Sequence, residues 1–401
     1  MELAAAEAAL AATIADAARA GEAVGVWGNA TKEKMLRPVQ TTRQVSTRDL
    51  TGITLYAPKE LVISARAGTP LTEIQQTLAA SGQHLIAEPP DLSALLASTG
   101  KQTLGGQTLG GQTLGGVVAT NLSGPRRVAW GAMRDHVLGI RAVNGTGELI
   151  RSGGRVLKNV TGLDLCKLFT GSHGTLGVLT EITLKVLPGP ETTGSLLRWG
   201  QTPAAAVASL SAALGSPYGV SGAAYLPAEA AQRIGLPAPA TLIRIEDFRP
   251  SVAYRLDRLR AELGDGDLLD DARSRAIWWQ IGNAMPLAAD TGAVWRVSVR
   301  PSRGPAVLEA VQAAFGASCF LDWGGGLVWI AGPATVAAHE AVMTAARHAG
   351  GVWMLLRAPD ALRTVVAVVP DEPAPLARIG ARVKAALDPQ GILNPGRLYG
   401  G

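Results

Sequence analysis

Four glycine-rich segments, each next to a run of apolar residues, limit the fold of this sequence more than any other feature. The chain has 48 glycines in 401 residues, so isolated glycine turns are expected throughout and only clusters of them are informative. A glycine has no Cβ, and consecutive glycines in a turn allow successive backbone N–H groups to point at one anion. One such loop is typical of an ordinary turn. Together, the four loops predict a site for a cofactor that carries a diphosphate: residues 28–32, 115–124, 171–177 and 394–397.

The two most common nucleotide-binding motifs do not occur in this sequence. A Rossmann fingerprint requires G-x-G-x-x-G at the start of a helix. Residues 171–177 instead read G-x-x-G-x-x-G and lead into residues 178–186, which have the pattern of a strand. A Walker A sequence is also absent. The sequence therefore predicts phosphate binding in a fold that is neither Rossmann nor P-loop.

The order of helical and strand patterns predicts an α+β protein with three parts. Strand patterns dominate residues 1–190, after a helix predicted over residues 2–20. Residues 191–369 alternate alanine-rich helical stretches with short apolar strands, the last of them predicted over residues 364–369. Residues 370–401 begin with prolines and continue into a basic amphipathic helix predicted over residues 376–387.

A tandem repeat of Gln-Thr-Leu-Gly-Gly occupies residues 102–116 in three copies. Its period of five is far below the roughly 20–50 residues of solenoid repeats, which indicates a duplication within one loop. The last copy is contiguous with residues 117–124, so we expect residues 113–116 to lie at the cofactor. The two earlier copies are expected to loop out, because lengthening a loop has a small entropic cost.

Charge and cysteine content exclude several classes of protein. The net charge of +5 and the pI near 9.4 come without a dense run of Lys and Arg, so no nucleic-acid partner is predicted. Cys166 and Cys319 form no cluster, which excludes an iron–sulfur centre ligated by cysteines, a cysteine-based zinc site and a disulfide framework. Residues 1–20 carry acidic residues where a signal peptide is basic, and no long uncharged stretch occurs. We expect a cytoplasmic protein that reaches a membrane only through partner subunits.

Several segments resemble the vanillyl-alcohol oxidase and p-cresol methylhydroxylase (PCMH-type) family of flavoproteins, and within it the FAD-binding E subunits of glycolate oxidases. The similar segments include Ser-Gly-Pro-Arg-Arg at 123–127 and Asn-Pro-Gly-Arg at 394–397; they are residues 58–71, 113–127, 134–139, 156–164, 171–188 and 387–399. The resemblance implies a PCMH-type FAD-binding domain over residues 1–190 and a smaller α+β cap domain over residues 191–369. Residues 370–401 are then expected to return to the FAD domain.

The resemblance also implies which residues bind FAD. Residues 28–32 match the loop that holds the pyrophosphate, with Thr31 or Lys32 facing it. This loop contains neither His nor Cys, so FAD is expected to be held non-covalently. Asp135 and Asn394 have an alternative interpretation as residues that cap or start a turn. The full predicted set is Gly28, Asn29, Ala30, Thr31, Lys32, Gly115, Gly116, Asn121, Ser123, Gly124, Asp135, Gly171, Gly174, Gly177, Val178 and Asn394.

Catalytic residues are not identified by the sequence. The five histidines have no metal-ligand spacing, and the histidine-rich metal motif of catalytic relatives does not occur between residues 191 and 370. Four arginines are candidates to hold a substrate carboxylate or, as the simpler alternative, surface residues on strand ends: Arg244, Arg296, Arg300 and Arg357.

The resemblance implies a hetero-oligomer with a catalytic FAD subunit and an iron–sulfur subunit that oxidises glycolate or D-2-hydroxy acids to 2-oxo acids. Two alternatives stay open at this point. The chain is an assembly subunit with a vestigial flavin site, or it is a free-standing FAD oxidoreductase of the same family.

Overall fold

The computed structural model describes residues 2–96, 103–104, 107–108, 111–154 and 163–399. Its helices are α1 (Glu2–Ala20), α2 (Leu71–Ala79), α3 (Leu114–Thr120), α4 (Arg127–Trp130), α5 (Leu165–Phe169), α6 (Pro203–Gly215), α7 (Ala228–Gln232), α8 (Arg249–Leu263), α9 (Asp271–Gly282), α10 (Gly304–Phe315), α11 (Val336–His348), α12 (Asp360–Arg363) and α13 (Ala374–Leu387). None of the helices within these ranges combines the length and apolar character of a bilayer-spanning helix.

The strands of the first half are β1 (Val24–Trp27), β2 (Arg43–Ser46), β3 (Ile53–Ala57), β4 (Val62–Arg66), β5 (Gln83–His84), β6 (Thr103–Leu104), β7 (Gln107–Thr108), β8 (Val137–Val143), β9 (Leu149–Gly153), β10 (Val178–Lys185) and β11 (Leu187–Pro188). Those of the second half are β12 (Thr192–Trp199), β13 (Val220–Leu226), β14 (Ala240–Asp247), β15 (Asp267–Leu269), β16 (Ala293–Ser298), β17 (Ser318–Asp322), β18 (Leu327–Gly332) and β19 (Val352–Arg357). This mixture confirms the predicted α+β class.

An antiparallel five-stranded sheet in the order β3-β4-β10-β8-β9 is the centre of the first half. Central strand β10 is buried along most of its length on both faces, although half of its residues are polar. Ile63 and Ile182 of the sheet pack with Ile74 of α2, Val117 of α3 and Phe169 of α5 in one core. This packing fixes α3 against the sheet.

Helix α1 and a small parallel sheet, β1-β2, form a second layer of the first half. The side chain of Ile14 on α1 is buried there. Glu7 is also buried, and it accepts hydrogen bonds from Arg141 Nε at 2.9 Å and Thr180 Oγ1 at 2.6 Å. These two contacts attach α1 to β8 and β10, so the second layer is joined to the five-stranded sheet through a buried carboxylate.

The C-terminal tail lies along strand β1. The N–H of Val24 donates to the carbonyl of Ile392 at 2.8 Å, and the N–H of Asn394 donates to the carbonyl of Val24 at 2.9 Å. The tail therefore extends the small sheet of the first half, although almost 370 residues separate the paired segments.

The second half is an eight-stranded antiparallel sheet in the order β15-β12-β14-β13-β17-β18-β16-β19. Five helices pack against this sheet with buried side chains: α6, α8, α9, α10 and α11. Its core also takes up Met35, Leu36 and Leu95 from the first half. The change from one sheet to the other falls between Pro188 and Thr192.

The strand predicted over residues 364–369 is wrong. Helix α12 ends at Arg363, and the residues after it form turns and irregular structure. The apolar pattern has another cause, because Val366 and Val368 are buried in the core of the second half. One backbone bond, from the N–H of Leu355 to the carbonyl of Val368 at 2.8 Å, holds the segment beside β19.

A cluster of charged side chains joins the two halves. Glu88 accepts hydrogen bonds from Arg244 Nη1 at 2.8 Å and Nη2 at 2.9 Å, and from the backbone N–H of Arg126 at 3.0 Å. Arg126 Nε in turn donates to Glu246 at 3.0 Å. Burial alone raises the pKa of Glu246, but Arg244 and Arg126 hold that pKa well below its usual range. The joint is thus held by paired and mostly buried charges.

Candidate functional site

A cleft opens between the five-stranded sheet, strand β1 and the C-terminal tail. It encloses about 810 Å³ free of protein atoms, part of it continuous with solvent. Three segments of the first half, within residues 26–47, 113–120 and 172–179, line it together with the tail: Val26, Trp27, Gly28, Asn29, Ala30, Thr31, Lys32, Glu33, Val39, Thr47, Thr113, Gly115, Gly116, Ala119, Thr120, Ser172, His173, Gly174, Gly177, Val178, Leu179, Asn394 and Arg397.

Residues 28–30 present unused backbone donors to the cleft. The N–H groups of Gly28, Asn29 and Ala30 donate no hydrogen bond within the described part of the chain. Ala30 adopts φ +53°, in the left-handed region, so the backbone turns sharply at this point. Successive free N–H groups in such a turn form a concave anion site. This is the arrangement that a diphosphate requires, and it supports the prediction made from the sequence.

Lys32 adds a cation to the same loop. Its Nζ donates to Oε1 of Gln112 at 2.9 Å, a residue of the third repeat copy. Burial lowers the pKa of Lys32 to about 8, so the ammonium group is still charged at neutral pH. Arg397 supports the loop from the tail, because its guanidinium donates to the carbonyls of Lys32 at 2.8 Å and Glu33 at 3.2 Å.

The segment 115–124 is not a loop, as the sequence suggested, because its first six residues belong to helix α3. Thr113 caps this helix, and its Oγ1 accepts from the N–H of Gly116 at 3.3 Å. The N–H of Gly115 donates to the carbonyl of Ala67 at 2.7 Å. Both amides are therefore used inside the protein, and the two glycines leave space in the cleft without donating to a ligand.

Asn394 connects three walls of the cleft. Its Oδ1 accepts from the N–H of Val26 at 2.9 Å, and its Nδ2 donates to the carbonyl of His173 at 2.9 Å. A Cβ on Gly174 would lie 2.7 Å from Nδ2 of Asn394, so only glycine allows this approach. Burial, and then Arg397, lower the pKa of His173 to about 3, and its imidazole is neutral at physiological pH.

Eleven of the predicted cofactor residues line the cleft and five do not. Asn121 Oδ1 accepts from the N–H of Arg134 at 3.0 Å, Ser123 Oγ from Met133 at 2.9 Å, and Asp135 Oδ2 from Ala132 at 2.8 Å. These bonds fold the turn behind α3, which fits the alternative interpretation of Asp135 as a capping residue. The remaining two also lie outside the lining: Gly124, against Glu88, and Gly171, against Asn121. Direct contact of these five residues with a cofactor stays a prediction.

Sequence reasoning missed Gln112, whose side chain contacts Lys32, and it placed Thr113 and Arg397 in cofactor segments without naming them as binding residues. The two former residues belong to the repeat and the last one to the Asn-Pro-Gly-Arg motif, so a signal was present for each. Of the two earlier repeat copies, the described residues include the paired strands β6 and β7 and Gly111, whose carbonyl accepts from Asn29 Nδ2 at 2.8 Å. The predicted looping-out of the other residues lies outside the described part of the chain.

The surface interpretation of the four arginines holds only for Arg300, which is exposed. Arg244 is buried in the ion-pair cluster of the joint, and Arg357 is buried among backbone carbonyls. Arg296 stacks on tryptophan rings. The sequence prediction failed because the sheet of the second half turns these strands toward the first half. Within the described residues, no group of three or more His, Cys, Asp or Glu side chains is arranged to hold a metal ion.

Comparison with known proteins identifies the family. A family model described as an FAD binding domain matches residues 88–153. Glycolate oxidase subunit GlcE of Escherichia coli (strain K12) is 35% identical over 375 residues, which are 93% of this chain and 92% of that protein. The chain belongs to the GlcE family. Glycolate oxidase subunit GlcD of Bacillus subtilis (strain 168) matches a shorter stretch of this GlcE-family chain, with 47% identity over 77 residues, 19% of the chain and 16% of that protein.

A solved structure agrees with this assignment at the level of the fold. The 4-ethylphenol oxidase from Gulosibacter chungangensis has a TM-score of 0.70 and 13% identity, covering 98% of the GlcE-family chain and 88% of that protein. The PCMH-type FAD-binding fold expected from the sequence is thereby confirmed, and FAD is the cofactor of this family member.

Proposed function

We propose that this chain is the FAD-binding subunit of a glycolate-oxidase-type complex and takes part in oxidising glycolate and related D-2-hydroxy acids to 2-oxo acids. The observation that carries the proposal is the convergence of the free N–H groups at residues 28–30, Lys32 and Asn394 on one cleft. When bound, FAD supplies the acceptor for the two electrons that leave the hydroxy acid. The full-length similarity to a protein named as a glycolate oxidase subunit supports the choice of reaction.

In the proposed site, residues 28–32 hold the diphosphate through backbone donors and the Lys32 ammonium group. Gly115 and Gly116 leave room beside it, and Asn394 keeps the wall formed by residues 171–178 in place. We propose that FAD is held non-covalently. In support, neither cysteine lines the cleft: Cys166 is buried in the core of the first half and Cys319 in that of the second.

We further propose that the chain works in the cytoplasm beside a catalytic flavoprotein subunit and an iron–sulfur subunit, and reaches a membrane only through them. The names of the two relatives, glycolate oxidase subunits GlcE and GlcD, support a complex of several different subunits. Both cysteines of this chain are free and buried, so an iron–sulfur centre would have to lie in another subunit.

The first experiment measures cofactor content. The purified chain should show a flavin absorbance spectrum with close to one FAD per chain, and acid precipitation should release the flavin into the supernatant. A colourless protein that does not take up added FAD would favour the alternative of an assembly subunit with a vestigial site. Flavin that stays with the precipitate would contradict non-covalent binding.

The second experiment measures turnover. Glycolate-dependent reduction of a dye is followed with the isolated chain and then with the partner subunits added. Turnover only in the presence of the partners is the expected result. Turnover by the isolated chain at the rate of the complex would favour a free-standing oxidoreductase and contradict the proposed division of labour.

A further inference from the structure

Arg296, on strand β16, is a cation without a hydrogen-bonded partner. Its Nε is buried and has no acceptor, and its guanidinium forms no ion pair within the described part of the chain. By contrast, Arg357 on the neighbouring strand donates to the backbone carbonyl of Gly292 at 3.1 Å. Burying guanidinium N–H groups without an acceptor is unfavourable, since water solvates them well. The Nε–H group of Arg296 is therefore a buried donor without an acceptor within the described residues.

Trp323 is shared by Arg296 and a second arginine. Cζ of Arg296 lies 5.5 Å from the centroid of the Trp323 ring, and Cζ of Arg127 lies 4.6 Å from it. Arg296 also lies 4.8 Å from the ring of Trp329. Arg127 belongs to α4 in the first half and Arg296 to the second half, so the arginine pair spans the joint between them. Neither arginine of this pair forms an ion pair with a carboxylate of the described residues, whereas Arg244 forms one with Glu88.

The charge of Arg127 disfavours the charged form of Arg296. Burial, and then the charge of Arg127, lower the pKa of Arg296 to about 10. Burial, and then Arg134, lower the pKa of Arg127. Stacking on indole rings compensates for part of the hydration that the guanidinium groups lose on burial. The face of a ring does not, however, accept hydrogen bonds from the N–H groups in the guanidinium plane. One carboxylate that accepts from both forks would remove the repulsion and satisfy the donors, because its planar geometry matches them.

Asp322 limits which anion fits. It ends strand β17, is buried, and accepts a hydrogen bond from the N–H of Trp323 at 2.7 Å. Burial raises its pKa to about 7. This carboxyl forms no ion pair with Arg296 or Arg127 within the described residues, although its charge raises the pKa of Arg296 and so favours the charged guanidinium. The Asp322 carboxyl would repel a ligand that carries more than one negative charge. A hydroxyl or keto oxygen of a ligand, by contrast, can share a hydrogen bond with this carboxyl.

We propose that Arg127 and Arg296 bind the carboxylate of a small 2-hydroxy acid or its 2-oxo product at the joint between the halves, with Asp322 facing the neighbouring oxygen. The choice of anion rests on the proposed function. The site is connected to the cofactor segment, since Trp323 Nε1 donates to the carbonyl of Gly124 at 3.1 Å. Gly124 follows helix α3, whose first turn lines the cleft.

The test uses the whole chain and glycolate as the probe. Glycolate is titrated into wild type, Arg296→Met, Arg127→Met and a control, Arg249→Met, whose side chain is 72% exposed in its ion pair with Glu191. Binding is read from tryptophan fluorescence and from the rise in Tm that a ligand of the native state produces. We expect at least tenfold weaker binding in either site variant and unchanged binding in the control. Potassium chloride at equal ionic strength should give no shift.

A merely structural arginine would lower Tm without changing the glycolate-dependent rise, and that result would overturn the proposal. So would wild-type protein that does not bind glycolate, or an equal shift with chloride. If a methionine variant does not fold, Arg296→Lys keeps the charge but loses the planar fork, and it should still bind glycolate several-fold more weakly. FAD content is measured in the same samples. Wild type that binds FAD but not glycolate contradicts this inference alone, whereas wild type that binds no FAD contradicts the proposed function.

Discussion

Gly116 offers a substitution that should move cofactor binding and stability in opposite directions. A Cβ built on this residue of α3 meets one neighbouring atom within 4 Å, Oγ1 of Thr113 at 3.4 Å, so the protein itself has room for it. Alanine is favoured over glycine within a helix by about 0.5–1 kcal/mol. For 401 residues, an unfolding entropy of about 2 cal/mol/K per residue converts this gain into a rise in Tm of about 1 °C.

The added methyl group enters space that the cofactor is proposed to fill. Inserting one methyl into a well-packed site costs about 1–3 kcal/mol, so Gly116→Ala should weaken FAD binding about 5- to 150-fold. The matched control is Gly380→Ala on α13, where the built Cβ also lies 3.4 Å from a side-chain oxygen, Oε2 of Glu372. This control should gain stability and keep its FAD affinity.

The assays are thermal unfolding of the FAD-free proteins and titration of FAD by quenching of flavin fluorescence. A higher Tm with unchanged FAD affinity in Gly116→Ala would refute the assignment of this surface to the cofactor. A lower Tm would refute the packing argument, since it would mean that the Cβ collides with the protein.

Three further perturbations follow from the same contacts. Above pH 8 the Lys32 ammonium group loses its proton in the free protein, whereas bound diphosphate favours the charged form, so FAD affinity should fall by up to tenfold per pH unit. The Lys32→Gln variant should lose this pH dependence, and an unchanged pH dependence would contradict the assignment of Lys32 to the diphosphate. Deleting residues 103–112 should leave FAD content unchanged or higher, because the one remaining copy of the repeat still supplies a glutamine to contact Lys32. A loss of FAD would contradict the assignment of the third copy to the cofactor. Glu88→Ala should lower the free energy of unfolding by about 3–5 kcal/mol, since it leaves Arg244 buried with one partner fewer. The control Glu191→Ala, at an exposed ion pair, should lower it by about 0–1 kcal/mol. Equal decreases of the two variants in urea unfolding would contradict the role of the charged cluster in joining the two halves.

The sequence predicted the fold class because its patterns are local. Apolar patterns located β10, and alanine-rich stretches located α6, α10 and α11 of the second half but not α8 or α9. Glycine clusters marked segments that the structure brings to one cleft. Helix α3 escaped prediction because two glycines near its start have low helix propensity. Burial of Val117 and Val118 in the core stabilises it instead, together with the Thr113 cap, and those packing partners are distant in sequence.

The parts of the site that sequence could not supply all depend on long-range geometry. Lys32 meets Gln112 across 80 residues, and Arg126 meets Glu246 across 120. An arginine on a strand end is usually exposed, so nothing local distinguishes Arg300, which is exposed, from Arg296, which is not. Only the placement of one sheet against the other separates them.

The contact between Asn394 and strand β1 also sets an order of events during synthesis. Val26 is synthesised long before Asn394, yet its N–H receives its acceptor only when residue 394 has been made. Until then the wall at residues 173–174 lacks the side chain that fastens it to β1. The nascent chain can therefore form its central sheet early, but it completes the flavin pocket only after residue 394 has been made, so cofactor loading is a step that waits for this tail.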